Sequence, residues 1–117
     1  LTGTGNLTKD SLGTLILSGS NTGYSGAITV YKGVMNIQNA NALGTTDVAT
    51  NVLSSAALQI QGGINVAEAN INITGTGISS DGAIRNISSS TGTNIISGAI
   101  TLAADAEINS DANTPRP

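Results

Sequence analysis

Asp105 and Glu107 stand two residues apart, and on an extended strand that spacing sends both carboxylates to one face. Paired carboxyl groups at a fixed separation are what glycoside hydrolysis needs, one to protonate the leaving oxygen and one to attack or to activate water. No aromatic side chain follows them to carry a sugar ring, so the pair is expected on a solvated outer face. Asp81 and Arg85 raise a second chemistry, the acidic ligand and basic proton acceptor of a polysaccharide lyase. Gly82, Ala83 and Ile84 lie between them, and the expectation is a simple surface charge pair.

Metal and phosphate chemistry fare no better. A calcium-binding coil needs the nonapeptide Gly-Gly-x-Gly-x-Asp, and Gly62-Gly63-Ile64-Asn65-Val66 lacks its third glycine and its aspartate. Gly3-Thr4-Gly5 and Gly75-Thr76-Gly77 have the glycine density of a phosphate cradle, but neither is followed by a lysine and a helix. Both read as tight corners. Thr2 with Thr4 and Thr74 with Thr76 carry the spacing that could match an ice lattice, yet two pairs make no regular row. The sequons at Asn6, Asn72 and Asn86 are what such a composition produces, and no role is assigned to them.

With no His there is no side chain whose ordinary pKa lies near neutrality, and with no Cys there is neither a thiolate nucleophile nor a disulfide framework. The chain is therefore read as non-enzymatic, with no catalytic, cofactor-binding or metal-binding residues. Lys9, Lys32, Arg85 and Arg116 are the only basic residues and the net charge is −3, which gives no electrostatic footprint for nucleic acid or an acidic membrane. No run of about 18 apolar residues is present, so membrane insertion is not expected. The opening at Leu1, without a basic or apolar leader, points to a processed product or an excised piece.

The elements that would position any of these residues are short. Gly, Ser, Thr and Asn make up 56 of the 117 residues, while Tyr24 and Tyr31 are the only aromatic ones. A broad globular core would lack the large side chains that fill its centre. The chain has fourteen Ile residues, and Ile, Leu and Val recur instead in short segments of period two: 15–17, 27–30, 34–37, 57–60, 64–66, 71–73 and 99–102. Corner residues separate them, as in Ser18-Gly19-Ser20-Asn21, Gly62-Gly63 and Ser80-Asp81-Gly82. Residues 39–44 carry one short irregular turn, and no helical period persists beyond about two turns. The chain is all-β.

Laying the chain on itself with a shift of 72 places residues 1–30 over 73–102. Ten of those thirty positions are identical, including Thr2-Gly3-Thr4-Gly5 over Thr74-Gly75-Thr76-Gly77 and Ser25-Gly26-Ala27-Ile28-Thr29 over Ser97-Gly98-Ala99-Ile100-Thr101. A long period holding several short strands is the mark of a solenoid, whose turns bury their inward residues only against neighbouring turns. Seventy-two residues divide into three turns of 24 or four of 18. The expectation is one β-solenoid segment over 1–117, of about five to six turns, with an irregular tail over 110–117. Its ends expose unpaired strand edges, which Pro115 and Pro117 would blunt at the C-terminal side.

Residues Gly13 to Gly44 resemble the autotransporter-associated β-strand repeat of type V secreted passenger domains. The likeness rests on the strand Gly13-Thr14-Leu15-Ile16-Leu17-Ser18-Gly19, the corner Ser20-Asn21-Thr22 with Tyr24, the block Ser25 to Val30, and the ending Asn39-Ala40-Asn41-Ala42-Leu43-Gly44. Gly23 is an extra residue against that pattern. The segment Leu58 to Asp111 is similar to the continuation in long repetitive bacterial surface proteins. The resemblance implies a right-handed parallel β-helix exposed outside a bacterial cell, commonly as a stalk that displays other domains or mediates contact. The expected role is a structural stalk or fibre segment that meets other copies or neighbouring repeats by end-to-end strand stacking. The alternative is an adhesin module that binds cell-surface carbohydrate through a face rich in Ser, Thr and Asn. A shared exposed patch carrying Tyr24 and Tyr31 would favour that second reading.

Overall fold

Strands with only two or three inward side chains cannot build a core alone, and each must find its partners in the turns before and after. A computed structural model describes residues 1–87 and 92–111 and shows how this is met. The described residues form twelve strands and no helix. In chain order these are β1 (Thr2–Gly3), β2 (Leu7–Lys9), β3 (Thr14–Leu17), β4 (Gly23–Tyr24), β5 (Ile28–Ile37), β6 (Thr50–Ile60), β7 (Asn65–Val66), β8 (Asn70–Gly75), β9 (Ile84–Asn86), β10 (Ile95–Ile96), β11 (Ala99–Ala106) and β12 (Ile108–Ser110).

Every strand pairing is parallel, and the pairings stack the chain into a β-solenoid of about five turns. One wall runs β2, β5, β6, β8, β11 and places Leu7, Ile28, Thr50, Ile71 and Ile100 in one column. The next wall runs β3, β5, β6, β9, β12 with Leu15, Met35, Leu58, Ile84 and Ile108 in column. β5 and β6 serve both walls, because Tyr31, Lys32 and Gly33 bend the chain between them, and β6 carries an extra residue at that corner. Two short pairs, β1 with β4 and β7 with β10, belong to the third wall.

Inward columns are aliphatic in the middle turns. Ile28, Val30, Met35, Ile37, Val52, Leu58, Ile60, Ile71, Ile73 and Ile84 are all sealed from solvent, and each such side chain stabilises the fold by roughly 1.5–3 kcal/mol. Outward positions carry amides that bond along the stack. Asn72 Nδ2 donates to Asn51 Oδ1 at 2.8 Å and Asn36 Nδ2 to Gln59 Oε1 at 3.1 Å. Asn94 holds the Gly62-Gly63 corner, its Oδ1 accepting from the amides of Gly63 and Ile64 at 2.8 and 3.0 Å.

The 72-residue offset has a partial counterpart in these columns. Ile28 reaches Ile100 through Thr50 and Ile71, three rungs in steps of 22, 21 and 29 residues. Thr2-Gly3-Thr4-Gly5 and Thr74-Gly75-Thr76-Gly77 do not share a stack: Gly3 pairs with Tyr24, whereas Gly75 pairs with Ala106. The two blocks are corners at different places in the coil, alike because Gly3, Gly75 and Gly77 all take positive φ there. Of the segment 110–117, expected as an irregular tail, only residues 110 and 111 are described. Ser110 closes β12 and the Asp111 amide still donates to the Asn86 carbonyl at 2.9 Å; residues 112–117, with Pro115 and Pro117, lie outside the described residues.

Candidate functional site at the end turns

The first and last turns repeat the architecture of the middle ones with one neighbour instead of two. Among the described residues, β2 and β3 pair only with β5, β11 only with β8, and β12 only with β9. Their outer edges therefore present backbone N–H and C=O groups in the pattern a further parallel strand would take. The columns behave accordingly. Ile28 and Ile71 are fully buried, but Leu7 and Ile100 at the two ends of that column are only half-buried. Leu102 is 62 % exposed and Ile108 55 % exposed, although each stacks directly on a sealed residue of the turn before, Ile73 and Ile84. Beside Ile108 the core opens into a hollow of about 230 Å³ lined by Ile60, Ile84, Asn86, Asn94 and Ile96.

Lys9 marks the opposite end. It stacks on Val30 in an inward column, and its Nζ turns aside to donate to the carbonyls of Ser11, Asp10 and Lys32 at 2.7, 2.9 and 3.0 Å. The butyl stem can cover Val30 while the charge stays on the corner, a device that makes a strand edge less adhesive.

The residues singled out for chemistry disperse. Asp105 is exposed near the end of β11, and Glu107 lies in the link to β12 with its backbone bonded to Gly75 and Ala83. Asp81 does meet Arg85, at 3.7 Å, but the shorter partner is Asp111, whose Oδ1 accepts from Arg85 Nε at 2.8 Å. The separation of 26 positions between Arg85 and Asp111 concealed that pair from the sequence. All three groups are partly solvated, so Arg85→Ala is expected to cost about 0.5–1 kcal/mol in urea unfolding. No group of three or more potential metal ligands occurs among the described residues. Tyr24 is buried, with its hydroxyl donating to the Ala27 carbonyl at 3.1 Å, and Tyr31 is 53 % exposed; they form no common patch.

One carboxyl group escaped the sequence reading. Glu68, in the corner between β7 and β8, is 3 % exposed. Its Oε2 accepts from the Thr50 hydroxyl at 3.3 Å, and its Oε1 has no protein partner. Burial pushes its pKa up to about 7; the Thr50 hydroxyl and the Ala69 amide pull the other way, and the Asp47 carboxylate adds a smaller upward push. The alternation Ile64, Val66, Glu68 was the available signal, since it carries the inward parity of the two aliphatic residues on to the acid.

Comparison with protein-family models, with curated proteins and with solved structures returned no match.

Proposed function

We propose that the chain is a structural segment of an extracellular β-solenoid, a stalk or fibre portion of a bacterial surface protein, lengthened by end-to-end stacking of turns. The observation that carries this reading is the match between its two ends. Among the described residues, each end leaves two parallel strands unpaired on one side in the same pair of walls, and each column that ends in Ile100 or Ile108 begins in Leu7 or Leu15. A second copy laid on the last turn would set Leu7 over Ile100 and Leu15 over Ile108, continuing the aliphatic ladders. The separation of Tyr24 from Tyr31 supports the rod over a carbohydrate-binding face.

Negative-stain electron microscopy across a concentration series tests it. Unbranched filaments one solenoid wide are expected, shortened or lost when Ile100 and Ile108 are both changed to Lys, and lengthened in Lys9→Val. Monodisperse short particles at every concentration, unchanged by these substitutions, would remove self-stacking from the account.

A further inference from the structure

Most buried side chains of this solenoid are aliphatic, and the chief exception sits where three turns meet. Glu68 belongs to the fourth turn. Thr50 reaches it from β6 in the third, and the fifth turn lays Gly98 against the Glu68 carbonyl so closely that a methyl group there would overlap it. Around the carboxyl group the polar supply is short. An ionised carboxylate offers about four acceptor sites, yet Oε1 finds no protein donor, and the Thr45 hydroxyl on the neighbouring corner is likewise buried without one. The charged group acting on it from the surrounding elements is Asp47, of the same sign. β8, β11 and the Ser97-Gly98 corner bring no titratable side chain to it.

We propose that Glu68 is a proton-binding site that governs how tightly the third, fourth and fifth turns hold together, firm when its carboxyl group is neutral and loosened when it ionises. A neutral carboxyl group has one fewer acceptor site to satisfy and a donor of its own, and the desolvation cost of a charge disappears. The upward displacement of its pKa agrees with the geometry. Because the folded protein holds the proton more tightly than the unfolded chain, the stabilising effect is complete near the ordinary carboxylate pKa and is lost as pH rises through about 7. The rod would thus be strengthened in mildly acidic surroundings, a property separate from the structural role proposed above and testable whether or not copies stack.

The experiment is native-state hydrogen exchange, corrected for the intrinsic pH dependence of exchange, on the amides of Ile71, Ile73 and Ser97 between pH 5 and 8. The local opening constant should rise on the order of a hundredfold towards pH 8 in the wild type, and stay flat in Glu68→Gln. Parallel profiles in the two proteins, or a wild type that opens more readily in acid, would overturn the proposal. Should Glu68→Gln fail to fold, the ¹³C resonance of the Glu68 carboxyl group in the wild type decides: a midpoint near 7 supports the site, and one in the ordinary carboxylate range refutes it. In Thr50→Val, which removes the donor to Oε2, the midpoint should move further up.

Discussion

Replacing Leu58 with alanine is expected to lower the unfolding free energy by about 3 kcal/mol, read as a shift of the urea midpoint with little change of slope. Leu58 is fully buried and stacks between Met35 and Ile84 at the middle of its column. A solenoid turn has few ways to close such a gap, because its backbone is tied above and below by parallel ladders and cannot move inward without breaking them. The space left stays largely empty, and the cavity adds to the lost transfer energy. Leu58→Asp would place an unpaired carboxylate in the same site and is expected to leave no folded population. A loss below about 1 kcal/mol for the alanine variant would mean that the column is not sealed as described.

The second large effect concerns backbone contact. Gly26→Ala should cost about 3 kcal/mol and release the first turn, whereas Gly19→Ala, with open space around it, should change stability by less than about 0.5 kcal/mol. Neither glycine takes a positive φ, so the difference is steric and not conformational. A Cβ on Gly26 would overlap the Gly5 carbonyl of the turn beneath and crowd the Tyr24 hydroxyl. A carbonyl in a ladder cannot change rotamer to make room. Gly98→Ala meets the Glu68 carbonyl in the same way and should loosen the last turn. Hydrogen exchange of the Leu7 and Ser25 amides, bonded to the Ala27 and Gly3 carbonyls, reports the first case. Equal behaviour of Gly26→Ala and Gly19→Ala would contradict the close approach.

These glycines give the repeated block Ser-Gly-Ala-Ile-Thr a physical reason. In both copies the glycine lies where one turn touches the backbone of the turn below, and the isoleucine two residues on enters the same inward column, as Ile28 and Ile100. The repeat was therefore visible in the residues, while its cause lay in contacts about 21 to 30 residues away along the chain. Asp105 and Glu107 show the converse. Their spacing was visible, but the corner between β11 and β12 separates what a continuous strand would have aligned.

The alternation of Ile, Leu and Val with polar residues, broken by Gly, Asn and Asp, is local information, and it sufficed for an all-β chain of short strands with a narrow aliphatic core. Most inward residues of β5, β6 and β8 follow from it directly. What only the tertiary structure decided is which residue stands above which. Corners absorb extra residues without disturbing the walls, so successive rungs of one column are 21, 22, 21 and 29 residues apart, and no single period can be read forward. That freedom placed Thr50 among isoleucines, brought Glu68 beneath Gly98, and paired Arg85 with Asp111. Strand parity is set by the backbone of each segment alone, whereas stacking is set by hydrogen bonds between turns, and those depend on every corner in between.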